Sequence, residues 1–146
     1  MKKFVSTLLV FTLMLVFSTN AFAAKGIGDT PETAITLFPR NIVNLYIEDS
    51  TDKDWFTWTN NTGKIQRLYA WAQPTPTDDW RNFRLAFKIE YGDNTSTRLM
   101  YSNYNIGPLQ AIDNIYIPNG AKLYLLVEKV NNSKTQYALG LDVYDI

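Results

Sequence analysis

Neither histidine nor cysteine occurs anywhere in the 146 residues. The first absence removes the Ser-His-Asp triad, the Cys-His pair and any histidine zinc site. The second removes thiolate nucleophiles, thiolate metal sites and disulfides. The phosphate-cradling signatures GxGxxG and GxxxxGK[ST] are also missing. With no basic run, there is nothing to suggest nucleic acid as a partner or a polybasic membrane patch. The chemistry left open is that of carboxylates, lysine or tyrosine, or oxygen ligands for a hard cation such as calcium.

Long apolar runs are equally scarce. The one present is N-terminal, in "MKKFVSTLLVFTLMLVFSTNAFA" (1–23). Lys2 and Lys3 precede an apolar stretch from Phe4 to Phe17, and Ala21-Phe22-Ala23 forms a small-residue cleavage site. That is the layout of a secretory signal. Its apolar stretch, about 14 residues, is short of the roughly 20 that a membrane helix needs. The expectation is a secreted, extracellular protein, cleaved near Ala23, with no membrane span in the mature chain. Residues 24–146 are of a length for one domain, a monomer with a single core and no staples. Without Lys2 and Lys3 the chain has two more acids than bases.

What is abundant is alternation. "FRLAFKIEY" (83–91) sets Phe83, Leu85, Phe87, Ile89 and Tyr91 against Arg84, Ala86, Lys88 and Glu90, a half-buried strand. "NIVNLYIE" (41–48) places Val43, Leu45 and Ile47 on one face. "DWFTWT" (54–59) points Phe56 and Trp58 one way and Trp55 the other. "KIQRLYAWAQ" (64–73) has mixed faces, and "TRLMYS" (97–102) is short enough for an edge. "AIDNIYI" (111–117) ends at the turn Pro118-Asn119-Gly120. "AKLYLLVEKV" (121–130) and "TQYALGLDVYDI" (135–146), joined by "NNSK", read as a hairpin. A helical turn fits only "TPETAI" (30–35), with Thr30 as cap and Pro31 in the first position. The longest loop candidate is "PTPTDDWRN" (74–82). Many short strands divided by turns predict an all-β antiparallel sandwich, jelly-roll-like, of about eight strands.

Four segments, in this order, carry a resemblance: "GDTPETAITL" (28–37), "STDKDWFTW" (50–58), "NGAKLYLLVEKV" (119–130) and "TQYALGLDV" (135–143). Together the chain resembles the bacterial pre-peptidase C-terminal domain family across nearly all of the mature sequence. That family comprises small β-sandwiches usually appended to secreted peptidases. The resemblance implies a noncatalytic module over 24–146, here expected to stand alone after its signal. Some relatives, the collagen-binding domains of clostridial collagenases, bind matrix protein and calcium. The chain departs from the pattern in its acid-poor opening and in the 74–82 loop.

Two groups of residues are candidates for function. Asp49, Asp52 and Asp54 lie within six residues, and the resemblance implies that Asp29 folds near them. Clustered carboxylates suit calcium, which takes six to eight oxygens. "DSTDKDWFTWTN" is no EF-hand, since it lacks the glycine and glutamate of that loop. The competing reading is a turn in which Asp49, Ser50 and Asp52 bond their own backbone. The second group is aromatic: Trp55, Tyr69, Trp71, and Trp80 with Arg81 in its loop. Exposed rings beside polar groups suit a sugar face or a protein hot spot. Tyr46, Tyr69 and Trp71 could make a flat patch, although core packing explains them more economically. The sequence therefore predicts a noncatalytic module for an extracellular protein or polysaccharide. One alternative is an accessory chaperone or inhibitor of a separately encoded secreted enzyme. A carboxylate-based glycoside hydrolase is the remote alternative, since no pair of carboxyls is set for that chemistry.

Overall fold

The computed structural model describes residues 27–75, 81–93, 95–102 and 104–146. Ten strands occur among them: β1 (Ile35–Thr36), β2 (Ile42–Ile47), β3 (Lys53–Thr59), β4 (Gln66–Thr75), β5 (Phe83–Glu90), β6 (Met100–Tyr101), β7 (Tyr104–Ile106), β8 (Leu109–Ile117), β9 (Lys122–Lys129) and β10 (Thr135–Asp145). They form two five-stranded sheets, ordered β1-β3-β9-β5-β6 and β2-β10-β4-β8-β7. All pairings are antiparallel except β1 with β3. The expected sandwich is therefore present. The two strands beyond the predicted eight are β1 and β7, too short to show a period. No helix among the described residues is long and apolar enough to cross a membrane. The signal segment 1–23 lies outside the described residues, as does residue 80.

Alternation explains which faces meet. In β3, Asp54, Phe56 and Trp58 are buried while Trp55, Thr57 and Thr59 are half-buried on the other side. Leu85, Phe87, Leu123, Leu125 and Val127 extend the core of that sheet; Ile47, Leu68, Ile112, Tyr137 and Leu139 supply the other. Phe83 and Tyr137 meet across the sandwich with ring centroids 5.5 Å apart. Pro31–Thr33 forms a short 3-10 turn, and the Thr30 amide donates to Thr33 Oγ1 at 3.2 Å, much as the capping pattern predicts.

The expected hairpin of the last two strands is not formed. β9 lies between β3 and β5, and β10 lies between β2 and β4 in the opposite sheet. Each has two hydrogen-bonded neighbours already, so neither has an edge left for the other. The connection is pinned by buried Lys129. Its Nζ donates to Ser133 O at 2.5 Å and Ser133 Oγ at 2.8 Å, and also to Thr135 Oγ1.

Sequence reading also missed Asn60, which is fully buried where β3 ends. Its Nδ2 donates to Lys64 O and Ile117 O, both at 2.8 Å. Its Oδ1 accepts from Thr62 N at 3.1 Å and Thr62 Oγ1 at 2.7 Å. One amide thus satisfies backbone from two separate turns, the arrangement that buried polar groups require.

Candidate functional site

At one end of the sandwich the acids before β3 divide into two kinds. Asp49 belongs to the turn: its Oδ1 accepts from Thr51 N at 2.8 Å and Thr51 Oγ1 at 2.6 Å. Ser50 Oγ donates to Asn132 Oδ1 at 2.5 Å, tying this turn to the one after β9. Asp52 and Asp54 instead point inward, each about 3% exposed. Asp52 Oδ2 accepts from Glu48 N at 2.7 Å. Its Oδ1 is, among the described residues, the one buried side-chain oxygen or nitrogen with no partner. Asp54 Oδ2 accepts from Tyr137 Oη at 2.6 Å.

Burial pushes the Asp54 carboxyl up to about 7; neighbouring Asp52 and Asp29 push it the same way, against the Tyr137 hydrogen bond. The same apolar setting and the facing Asp54 hold Tyr137 well above its ordinary range. The opening segment does reach this corner, because the Trp55 amide donates to Gly28 O at 2.6 Å. Gly28 is needed there: it sits at φ +81, and a Cβ would lie 3.1 Å from Trp55 O. Even so, among the described residues no three acids converge closely enough to hold a metal ion.

The aromatic candidates do not form one site. Trp55 lies on the outer face of the β3 sheet, edge-on to Tyr124 with ring centroids 6.5 Å apart. Tyr69 and Trp71 occupy the outer face of the other sheet, because Leu68, Ala70 and Ala72 take the inward positions of β4. The core role expected of them, as the more economical one, is thus corrected: small alanines fill that place. Tyr46 shares their face but lies two rows away, opposite Gln136 and Thr75, and a row of Asn44, Ala138 and Gln73 intervenes. Arg81 is exposed just before β5, and Trp80 lies outside the described residues.

Register shows what Tyr69 and Trp71 join. Trp71 pairs with Gly140, which pairs with Ile42. Tyr69 pairs with Asp142, and Arg67 with Tyr144 on one side and Tyr116 on the other. The Arg67 guanidinium lies 5.0 Å from the Tyr144 ring. A bulge between Leu68 and Tyr69 leaves Asn114 unpaired at φ +58, which resets the face so that Tyr116 follows Arg67. Ile42, Tyr116 and Tyr144 are 60%, 53% and 43% exposed. This face holds a run of large rings along adjacent rows about 7 Å apart.

Gly140 is what seats Trp71. A Cβ there would meet indole Cε2 and Nε1 at 2.4 Å, so only glycine lets the ring cover β10. Beside the ring a cavity of about 150 Å³ opens, lined by Arg40, Asn41, Ile42, Trp71, Gly140 and Asp142. Arg40 lines it from a tight turn. Its amide donates to Leu141 O at 2.8 Å, and Asn41 N donates to Phe38 O at 3.2 Å. Arg40 stands at φ 69, after Pro39, in the place where such a turn normally takes glycine.

No protein-family model matches the sequence, and no curated protein matches it. Solved structures do. The pre-peptidase C-terminal domain of a collagenase from Bacillus anthracis aligns with a TM-score of 0.56 at 17% identity, covering 77% of this chain and 98% of that one. A mitogen derived from Yersinia pseudotuberculosis is matched more loosely, with a TM-score of 0.48 at 17% identity over 75% of this chain and 90% of its own. So is TmCBM61, solved in complex with β-1,4-galactotriose, with a TM-score of 0.46 at 12% identity over 72% and 70%. The chain has the fold of a pre-peptidase C-terminal domain.

Proposed function

We propose that this pre-peptidase C-terminal-type sandwich is a secreted, noncatalytic binding module for extracellular polymer. The outer face of the β2-β10-β4-β8-β7 sheet is its working surface. The observation that carries this reading is the run Trp71, Tyr69, Tyr144 and Tyr116, held in register around Arg67 on a sheet face that no other element covers among the described residues. A monomer has no packing reason to expose rings in a row, and aromatics with arginine are the side chains that dominate binding surfaces. A rigid sheet also presents them without an ordering cost. Capture of the mature protein on insoluble polysaccharide, bacterial cell wall and collagen tests it. The double variant Tyr69→Ala/Tyr144→Ala should lose capture at least about tenfold while melting as the parent does. Equal capture of the variant, or capture by none of the three materials, overturns the reading.

The proposal extends to calcium at the acid corner. Asp52 Oδ1, buried and unpartnered, offers an oxygen; the three acids are not preassembled, so an ion would have to draw Asp54 and Asp29 in around it. Asp49, committed to its own turn, is left out. A bound divalent cation would favour the ionised form of Asp54 and link the opening segment to β3. Thermal melting at pH 8 should give a higher midpoint with calcium than with chelator. An unchanged midpoint rejects the ion.

A further inference from the structure

We propose that the cavity beside Trp71 is the binding site for a single neutral sugar residue of a polysaccharide. This rests on the outer sheet face being the working surface and narrows it to one position and one ligand class. Size is the first argument. At about 150 Å³ the cavity is well below the roughly 300–1,000 Å³ of drug-sized pockets, so it takes one ring-sized group.

Polarity is the second. Arg40 and Asn41 offer N–H donors, Trp71 offers its indole N–H, and Asp142 offers carboxylate oxygens. None of these four side chains has a hydrogen-bond or ion-pair partner among the described residues. Four polar groups around one small cavity, all unengaged, are a recognition set awaiting a ligand that both donates and accepts. Sugar hydroxyls do both. One cation and one anion leave the site without net charge, which disfavours phosphates and acidic sugars. Trp71 and the exposed Ile42 supply apolar surface for the C–H groups of a pyranose ring.

Strain is the third argument. A non-glycine residue at φ 69 costs stability that glycine would not, and such outliers gather at ligand clamps. Arg40 lines the cavity from that turn, and it brings a guanidinium that glycine would lack. Gly140 makes the complementary choice, giving up a side chain so that Trp71 can lie where it does.

The test is a nitrogen-15 NMR titration of the mature chain with cello-, galacto-, manno- and xylotetraose. The indole signal of Trp71, assigned through Trp71→Phe, is the reporter. At least one of the four should move it saturably. Trp71→Ala and Asp142→Asn, both followed by the backbone amide signals that the same sugar moves in the parent, should each weaken that binding about tenfold, the loss expected for one good contact. Arg40→Gly separates function from folding: it should weaken binding while raising the melting midpoint. Gly140→Ala, which displaces the ring without deleting it, should also weaken binding. If none of the four sugars moves the Trp71 signal, the site is rejected. If a sugar binds but Trp71→Ala and Asp142→Asn bind it as well as the parent, the site is rejected too. In either case, capture that still depends on Tyr69 and Tyr144 leaves the broader reading standing; with no capture at all, both fall.

Discussion

Folding stability should fall by a few kcal/mol as pH is raised from 5 to 8, and Asp54→Asn should remove most of that fall. The Asp54 carboxyl keeps its proton up to about 7 in the folded chain, against 3.8 for the free group. Between those values the folded state holds a proton that the unfolded state has released. Each pH unit in that window costs up to about 1.4 kcal/mol. The advantage is complete below about pH 4 and is lost as pH rises through 7. This is opposite to the usual carboxylate, whose pairing stabilises the neutral-pH form. Asparagine keeps the shape and still accepts from Tyr137 Oη, but has no charge to bury. Urea titrations of both proteins at pH 5, 6, 7 and 8, with chelator present, check it. Parallel curves for parent and variant would show that Asp54 is ionised in the fold throughout. Tyr137→Phe, by removing the hydrogen bond that holds this carboxyl down, should move the window to higher pH.

Asn60→Asp should be at least as costly, about 3–5 kcal/mol at neutral pH. The new carboxylate would face Lys64 O and Ile117 O, two acceptors that now receive the Asn60 amide hydrogens at 2.8 Å. A buried charge would thus meet two carbonyl oxygens with no donor between them. At a few degrees of midpoint per kcal/mol, calorimetry should read a drop of ten degrees or more. Asn60→Ala should fall between the parent and the aspartate variant, because it loses the bonds without adding a charge. A midpoint for Asn60→Asp within two degrees of the parent would mean that Lys64 O and Ile117 O find other donors.

The acid corner shows how far local pattern reaches. "STDKDWFTWT" holds an Asx-type turn at Asp49 and a period-two strand from Lys53, and both are visible in the sequence. That strand also dictates that Asp54 points inward with Phe56 and Trp58. Its partner, Tyr137, is 83 residues away. No local signal distinguishes a buried, tyrosine-bonded aspartate from a solvated one. Trp55 and Trp71 share a residue type that suits ligand contact, yet they lie on outer faces of different sheets. Residue type cannot say which sheet a strand joins.

The sandwich class and the inward set of most strands were legible in the sequence alone. Those follow from composition, length and a side-chain period of two, all carried by neighbouring residues. Strand order came only with the folded sheets, and with it the set of rings that share each outer face. β9 and β10 look like a hairpin until their neighbours are known; β10 instead lies beside β4 and brings Gly140 under Trp71. Strand pairing is chosen by burial summed over both sheets, a quantity no single segment contains. Arg40, Trp71 and Asp142 therefore meet at one cavity although 31 and 71 positions separate them along the chain.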